Sequence, residues 1–130
     1  MTAVLKVPVS PGELIDKITI LEIKSERMSD PAKLANVRTE LALLTETWRS
    51  SPFANSDVSG EWKALKAINE KLWDIEDRIR DKERERKFDQ EFIELARSVY
   101  VTNDERAAVK RAINLKLGSQ IVEEKSYAKY

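Results

Sequence analysis

The sequence predicts an all-α protein, an antiparallel bundle of four to five helices with a short extended N-terminal arm. Three observations support this fold class. The 130 residues include only three Gly and four Pro, so few positions interrupt a helix. Charged residues make up 35% of the chain, a composition typical of proteins built from long helices. Several segments carry apolar residues spaced by three and four, the period of one helix face. A chain of this length predicts one helical domain over residues 1–130.

The arm and the first helix are predicted from local signals. Residues 3–9 are mainly apolar and β-branched, but Pro8 disfavours a central strand, so this stretch is expected to be a short strand or an extended arm. Ser10 is a good N-cap, and Pro11 suits the first position of helix 1. Glu13 is placed to complete a capping box with Ser10.

Helix 1 is predicted to end near Met28, where a second start signal follows. Asp30 is the expected cap of helix 2 and Pro31 its first residue. One apolar stripe runs along this helix: Leu34, Val37, Leu41, Leu44 and Trp48. Residues 50–60 are rich in Ser, Asn, Pro and Gly and are predicted to form the loop before helix 3.

Three further helices are predicted after this loop. Helix 3 spans about 60–86, with a coiled-coil-like apolar seam. The seam consists of Leu65, Ile68, Leu72, Ile75 and Ile79. Helix 4 is expected over about 88–100. Thr102 and Glu105 match a second capping box, which predicts a separate helix 5 that stops at Gly118.

Composition excludes several classes of function. The chain has 23 Lys plus Arg and 23 Asp plus Glu, so its net charge is zero and nucleic acid is not an expected partner. It lacks Cys and His, which removes disulfides, zinc sites and the usual nucleophile–base pairs. We therefore expect no cofactor and no intrinsic metal. No apolar run is long enough to cross a membrane, so a cytoplasmic protein without membrane partners is expected.

Helix 1 is apolar on almost every side. At about 100° per residue, Leu14, Ile15 and Ile18 share a broad face. Ile20 and Ile23 fall nearly opposite that face. A helix of this kind is usually buried, so helix 1 is expected to be the central helix or to be covered by another chain.

Charged residues of helix 1 form the first half of a candidate site. Lys17 and Lys24 lie two turns apart on one stripe, and Glu13 lies one turn before Lys17. Buried charges need partners, so the simpler interpretation is a set of internal salt bridges, which are common in helical bundles. The alternative is a charged cleft that holds an anionic ligand.

Helix 5 supplies the second half. Arg106, Lys110 and Asn114 are spaced by four and share a face. Asn103 and Asp104 lie in its first turn, where free backbone N–H groups favour an anion. The simpler interpretation of Asn103 and Asp104 is helix capping.

The two ends of the chain resemble a small uncharacterised bacterial and phage family, a domain of unknown function. The resemblance rests on "SPGELIDKITILEIK" near the start and on "NDERAAVKRAIN" and "EEKSY" near the end. It implies an all-helical domain of unknown activity. It also highlights a set of charged and polar residues: Glu13, Asp16, Lys17, Lys24, Asn103, Asp104, Arg106, Lys110, Asn114, Glu123, Glu124, Lys125, Ser126 and Tyr127. The tail is then expected to fold back, with Lys125 and Ser126 facing a ligand.

Three functions follow as hypotheses. The first is a binding or accessory module that holds a phosphate- or carboxylate-bearing small molecule, for example a sugar nucleotide, between helices 1 and 5 and the tail. The second is a non-enzymatic module that forms a homodimer through its apolar helices. The third is an enzyme: "ELIDKITILEIKSER" is similar to the first helix of chorismate mutases, but Glu13 stands where that helix begins with an arginine-bearing motif.

Overall fold

The computed structural model describes residues 3–130, which form four α helices and no strand. A helical bundle fits this arrangement, and the antiparallel order of its helices stays a prediction. None of these helices is long and apolar enough to cross a membrane. The helices are α1 (Pro11–Arg27), α2 (Pro31–Arg49), α3 (Ser59–Glu85) and α4 (Gln90–Lys116).

The predicted starts of α1 and α2 are confirmed. The Ser10 hydroxyl accepts a hydrogen bond from the backbone N–H of Glu13 at 3.1 Å. The Asp30 carboxylate accepts one from the N–H of Ala32 at 3.0 Å. The prediction that the Glu13 carboxylate reaches back to Ser10 to complete the capping box is wrong. This carboxylate pairs with Lys110 of α4 instead.

Helices 4 and 5 of the sequence prediction are one continuous helix, α4. Thr102, the expected cap of helix 5, is fully buried in the middle of α4. No Gly or Pro lies between residues 90 and 116 to interrupt the helix. Leu95 and Ile113 are buried on either side of Thr102, so tertiary packing overrides the local capping signal. The predicted stop is confirmed at Gly118, whose φ of 64° ends the helix.

The central position of α1 is confirmed. This helix packs against α2, α3 and α4, whereas the backbone of α2 lies close to α1 alone and α2 reaches α3 through the contact of the Trp48 and Trp62 rings. The main apolar cluster joins Ile15 of α1 to Val58, Leu65 and Ile113. Burial on several sides explains why α1 has apolar residues nearly all round.

The N-terminal arm lies outside the helices. Residues 3–9 belong to no helix or strand, and each of them is exposed. Leu5 is 93% exposed, and Val4 and Val7 are more than half exposed. The short strand is therefore not formed, and an apolar segment is left facing solvent.

Candidate anion-binding site

The tail, residues 119–130, and the C-terminal half of α4 converge on the start of α1. The Asn114 side-chain oxygen accepts a hydrogen bond from the backbone N–H of Gly12 at 2.8 Å. The Lys110 ammonium lies 2.6 Å from a Glu13 carboxylate oxygen and 3.4 Å from one of Glu123 in the tail. The three segments that carry the predicted site residues thus meet at one place.

Gly12 allows α1 to approach α4 closely. A Cβ atom at Gly12 would lie 2.5 Å from the backbone oxygen of Lys110 and 2.8 Å from the side-chain oxygen of Asn114. Asn114 is fully buried, and its side-chain nitrogen has no hydrogen-bond partner among residues 3–130. Asn114 therefore fixes the two helices in place and offers no surface to a ligand.

A buried ion pair links α1 to α4 one turn further along. Asp16 is 1% exposed, and its carboxylate accepts two hydrogen bonds from Arg106, from Nε at 2.8 Å and from Nη2 at 2.5 Å. Asn69 of α3 donates to the same carboxylate at 3.0 Å and to the Thr19 hydroxyl at 3.0 Å. Burial alone would raise the pKa of Asp16, but the bonds from Arg106 and Asn69 hold it below its ordinary value.

Arg106 holds Asp16 with one edge of its guanidinium and lines a cavity. Within the described part of the chain, no acceptor other than Asp16 bonds its side-chain N–H groups. The cavity, here called the anion cavity, has a volume of about 320 Å³. Its walls are Asn103, Arg106, Ala107, Lys110, Glu123, Glu124, Lys125 and Tyr127.

The charges around the anion cavity are balanced by internal pairs. Burial lowers the pKa of Lys110, but its hydrogen bond to Glu13 and the nearby carboxylates raise it above the ordinary value, so Lys110 is protonated. The Lys125 ammonium lies 2.5 Å from the Asp104 carboxylate. That contact, with a hydrogen bond from the Tyr130 hydroxyl, lowers the pKa of Asp104. Salt bridges between helices and tail thus exist as the simpler interpretation expects.

Six predicted site residues lie outside the walls of the anion cavity: Glu13, Lys17, Lys24, Asp104, Asn114 and Ser126. Glu13, Asp104 and Asn114 make the contacts described above. Lys17 is exposed and lies 3.8 Å from Glu13, at the edge of the cluster. Lys24 is half-buried further along α1 and forms no ion pair with any residue in 3–130. Ser126 is exposed in the tail. The described residues also contain no cluster of three or more Asp and Glu side chains that could hold a metal ion.

Two residues of the network were missed as site residues by sequence reasoning. Asp16 is highlighted by the family resemblance but is not among the predicted ligand-binding residues, and the sequence analysis gives Asn69 no role. Asn69 directly follows Ile68 of the apolar seam of α3, and a polar side chain beside such a seam is a usable signal, because buried amides need partners. The sequence does not predict that Asn69 and Arg106 both donate hydrogen bonds to the carboxylate of Asp16.

The fold and this site define an all-helical protein with a charged cleft between its first helix, its last helix and its tail. Residues 5–130 match the model described as "Family of unknown function (DUF6165)". The chain therefore belongs to this uncharacterised family. No curated protein and no solved structure matches it.

Proposed function

We propose that this protein is a non-catalytic module that binds a phosphate- or carboxylate-bearing small molecule in the anion cavity. The proposal rests on one observation, the orientation and the unused N–H donors of the Arg106 guanidinium. One edge of its guanidinium is fixed by the buried carboxylate of Asp16, and the group lines the cavity with N–H donors to spare. A guanidinium that is already oriented loses little entropy on binding an anion and can bind it with two parallel hydrogen bonds.

The contacts of the tail support the same proposal. Glu123 places a carboxylate oxygen 3.4 Å from the Lys110 ammonium, and Glu124 pairs with Arg111. The tail carboxylates thus occupy the positions that an acidic ligand would take beside the cations of α4. In our proposal the ligand, for example a sugar nucleotide, displaces Glu123, and Lys125 and Tyr127 cover it.

The wider setting of the module is part of the proposal. We place it as a single domain in the cytoplasm of a bacterium or in a phage-infected cell, without nucleic-acid or membrane partners. The chorismate-mutase alternative finds less support, because Glu13 brings a carboxylate to Lys110 where that family's first helix begins with an arginine-bearing motif.

Substitution of Asn103 by Asp tests the binding site. Asn103 lines the anion cavity, and its side chain takes part in no hydrogen bond within residues 3–130, so the change adds a negative charge with little effect on the fold. We expect phosphate, a sugar phosphate, a nucleotide sugar or a small dicarboxylate to raise the melting temperature of the wild-type protein by mass action. Asn103→Asp should weaken the apparent affinity about tenfold or more, because the new carboxylate repels the anion.

The matched control is Asn36→Asp, the same change at an exposed position of α2. It should leave the ligand-induced shift unchanged. If the same anion stabilises all three proteins equally, the site lies elsewhere. If no anion stabilises the wild type, the cations of α1 and α4 serve as internal salt bridges only.

A specific observation also favours the homodimer as a second candidate function. The accessible surface is 9098 Å², whereas a compact monomer of 15.0 kDa exposes about 7,000 Å². The excess of about 2,000 Å² is larger than the roughly 800 Å² that each partner buries in a standard interface. Much of the arm is apolar and exposed, so we propose that the arm docks on a second copy of this chain.

Sedimentation at tens of micromolar tests the dimer. We expect a dimer for the wild type and a monomer for the double variant Leu5→Glu with Val7→Glu, because both side chains would face the partner copy. Leu43→Glu is the control, at a half-exposed apolar residue of α2, and should stay dimeric. A monomeric wild-type protein at this concentration would exclude the proposal.

A further inference from the structure

A second cavity adjoins the anion cavity and has a different character. Its volume is about 460 Å³, and Asn103 and Arg106 stand in the walls of both cavities. Ile20, Leu72 and Trp73 give it an apolar side. We call it the ring cavity. Ile20 is an apolar residue of α1 that is only half-buried, and its place in the wall of this cavity explains why it is not fully covered by the core.

Trp73 gives the ring cavity a flat surface. Its side chain is half-buried, and the central carbon of the Arg27 guanidinium lies 5.9 Å from its ring centre. This cation–π contact restrains the orientation of the indole. Asp77 also lines the cavity and forms no ion pair with any residue of the described chain, so its carboxylate is free to accept hydrogen bonds from hydroxyl or amino groups.

We infer that the anion bound at Arg106 carries a flat ring, as a nucleoside 5′-phosphate does. The phosphate lies in the anion cavity at Arg106 and Lys110, the base stacks on Trp73, and Asp77 accepts from the sugar hydroxyls. Each of the two cavities is within the range of about 300–1,000 Å³ found for small-molecule pockets. This inference rests on the proposed function and narrows its ligand class.

Titration calorimetry with three probes tests the inference on the full chain. The probes are adenosine 5′-monophosphate, ribose 5-phosphate and inorganic phosphate. We expect the nucleotide to bind the wild type about tenfold or more tightly than ribose 5-phosphate, the usual size of a base–aromatic stacking contribution. Trp73→Leu should abolish this preference, Trp73→Phe should keep part of it, and Trp48→Phe, at a tryptophan outside both cavities, should keep all of it.

Tryptophan fluorescence gives a second readout that needs no variant at Trp73. The nucleotide should quench the emission of the wild type and of Trp48→Phe, and ribose 5-phosphate should not.

Equal affinity for nucleotide and ribose 5-phosphate would overturn the ring inference and leave the anion proposal standing. A nucleotide preference that persists in Trp73→Leu would also overturn it. A nucleotide that binds equally well to Asn103→Asp would instead contradict the anion proposal. Failure of all three probes would reject the ring inference together with a phosphate as the bound anion.

Discussion

Arg106→Met is expected to lower the free energy of unfolding by about 3 kcal/mol at pH 7, and urea denaturation is the measurement that checks it. The substitution leaves the carboxylate of Asp16 buried without its cation, and breaking a buried pair from one side costs about 3–5 kcal/mol. The lower end applies because the Arg106 side chain is 29% exposed. The same loss would complicate any binding experiment with this variant, which is why Asn103 is the better probe of the site.

The pH dependence of this effect has a definite sign. In the wild type the pKa of Asp16 is lowered on folding. The pair therefore stabilises the protein above the unfolded pKa of about 3.9, and this stability is lost as the pH falls through the folded value. Without Arg106 burial dominates and the pKa of folded Asp16 rises. The loss of stability in Arg106→Met should therefore be largest at neutral pH and should shrink as the pH falls to 4 and below.

Arg111→Met is the control for this prediction. Arg111 lies on the same helix and pairs with Glu124, but both side chains are largely exposed, so its loss should cost less than about 1 kcal/mol. Equal losses in the two variants, or a penalty for Arg106→Met that does not shrink towards pH 4, would show that the Asp16–Arg106 pair is not the buried contact described above.

Gly12→Ala is expected to destabilise the protein by about 2–6 kcal/mol in the same assay. The new methyl group would meet the backbone oxygen of Lys110 at 2.5 Å, and a backbone atom in the middle of a helix cannot move aside cheaply. Overpacking of this kind costs about 1–3 kcal/mol. Separation of the helices also removes the bond from Gly12 to the buried Asn114, and an orphaned buried acceptor costs about 1–3 kcal/mol more.

Gly60→Ala separates steric crowding from the general effect of replacing a helical glycine. Gly60 lies in the first turn of α3, and a Cβ atom there would meet nothing within 4 Å. The variant should be neutral or more stable by up to about 1 kcal/mol, because Ala restricts the unfolded chain. If Gly12→Ala behaves like Gly60→Ala, α1 and α4 are not in the close contact on which the site depends.

Local signals predicted most of the fold. Ser10, Asp30 and Gly118 mark helix ends through their own side chains or backbone, so a single position is enough to predict each end. The spacing of apolar residues predicted that α1 is central. The prediction of a helix boundary at Thr102 was wrong. The sequence Thr–Asn–Asp–Glu caps a helix only where the chain is free to leave the helix direction, and here Leu95 and Ile113 on either side are both buried in the core.

The candidate site was predicted less completely. Helical spacing placed Arg106 and Lys110 on one face, and the structure brings both to the start of α1. Spacing along one helix contains no information about the distance to another helix. The pairing of Asp16 with Arg106, the position of Lys24 away from the site and the second cavity at Trp73 all depend on contacts between helices, which the spacing of residues along the chain does not specify.

The central position of α1 has a consequence for how the chain reaches its native state. The contacts that join α1 to α4 connect residues 90 and 102 positions apart, so they close very long loops and form slowly. During synthesis α1 precedes both α3 and α4, and its apolar sides stay uncovered until those helices have been made. The growing chain therefore exposes apolar sides of α1 in the meantime, and the charged cleft is among the last parts of the molecule to form.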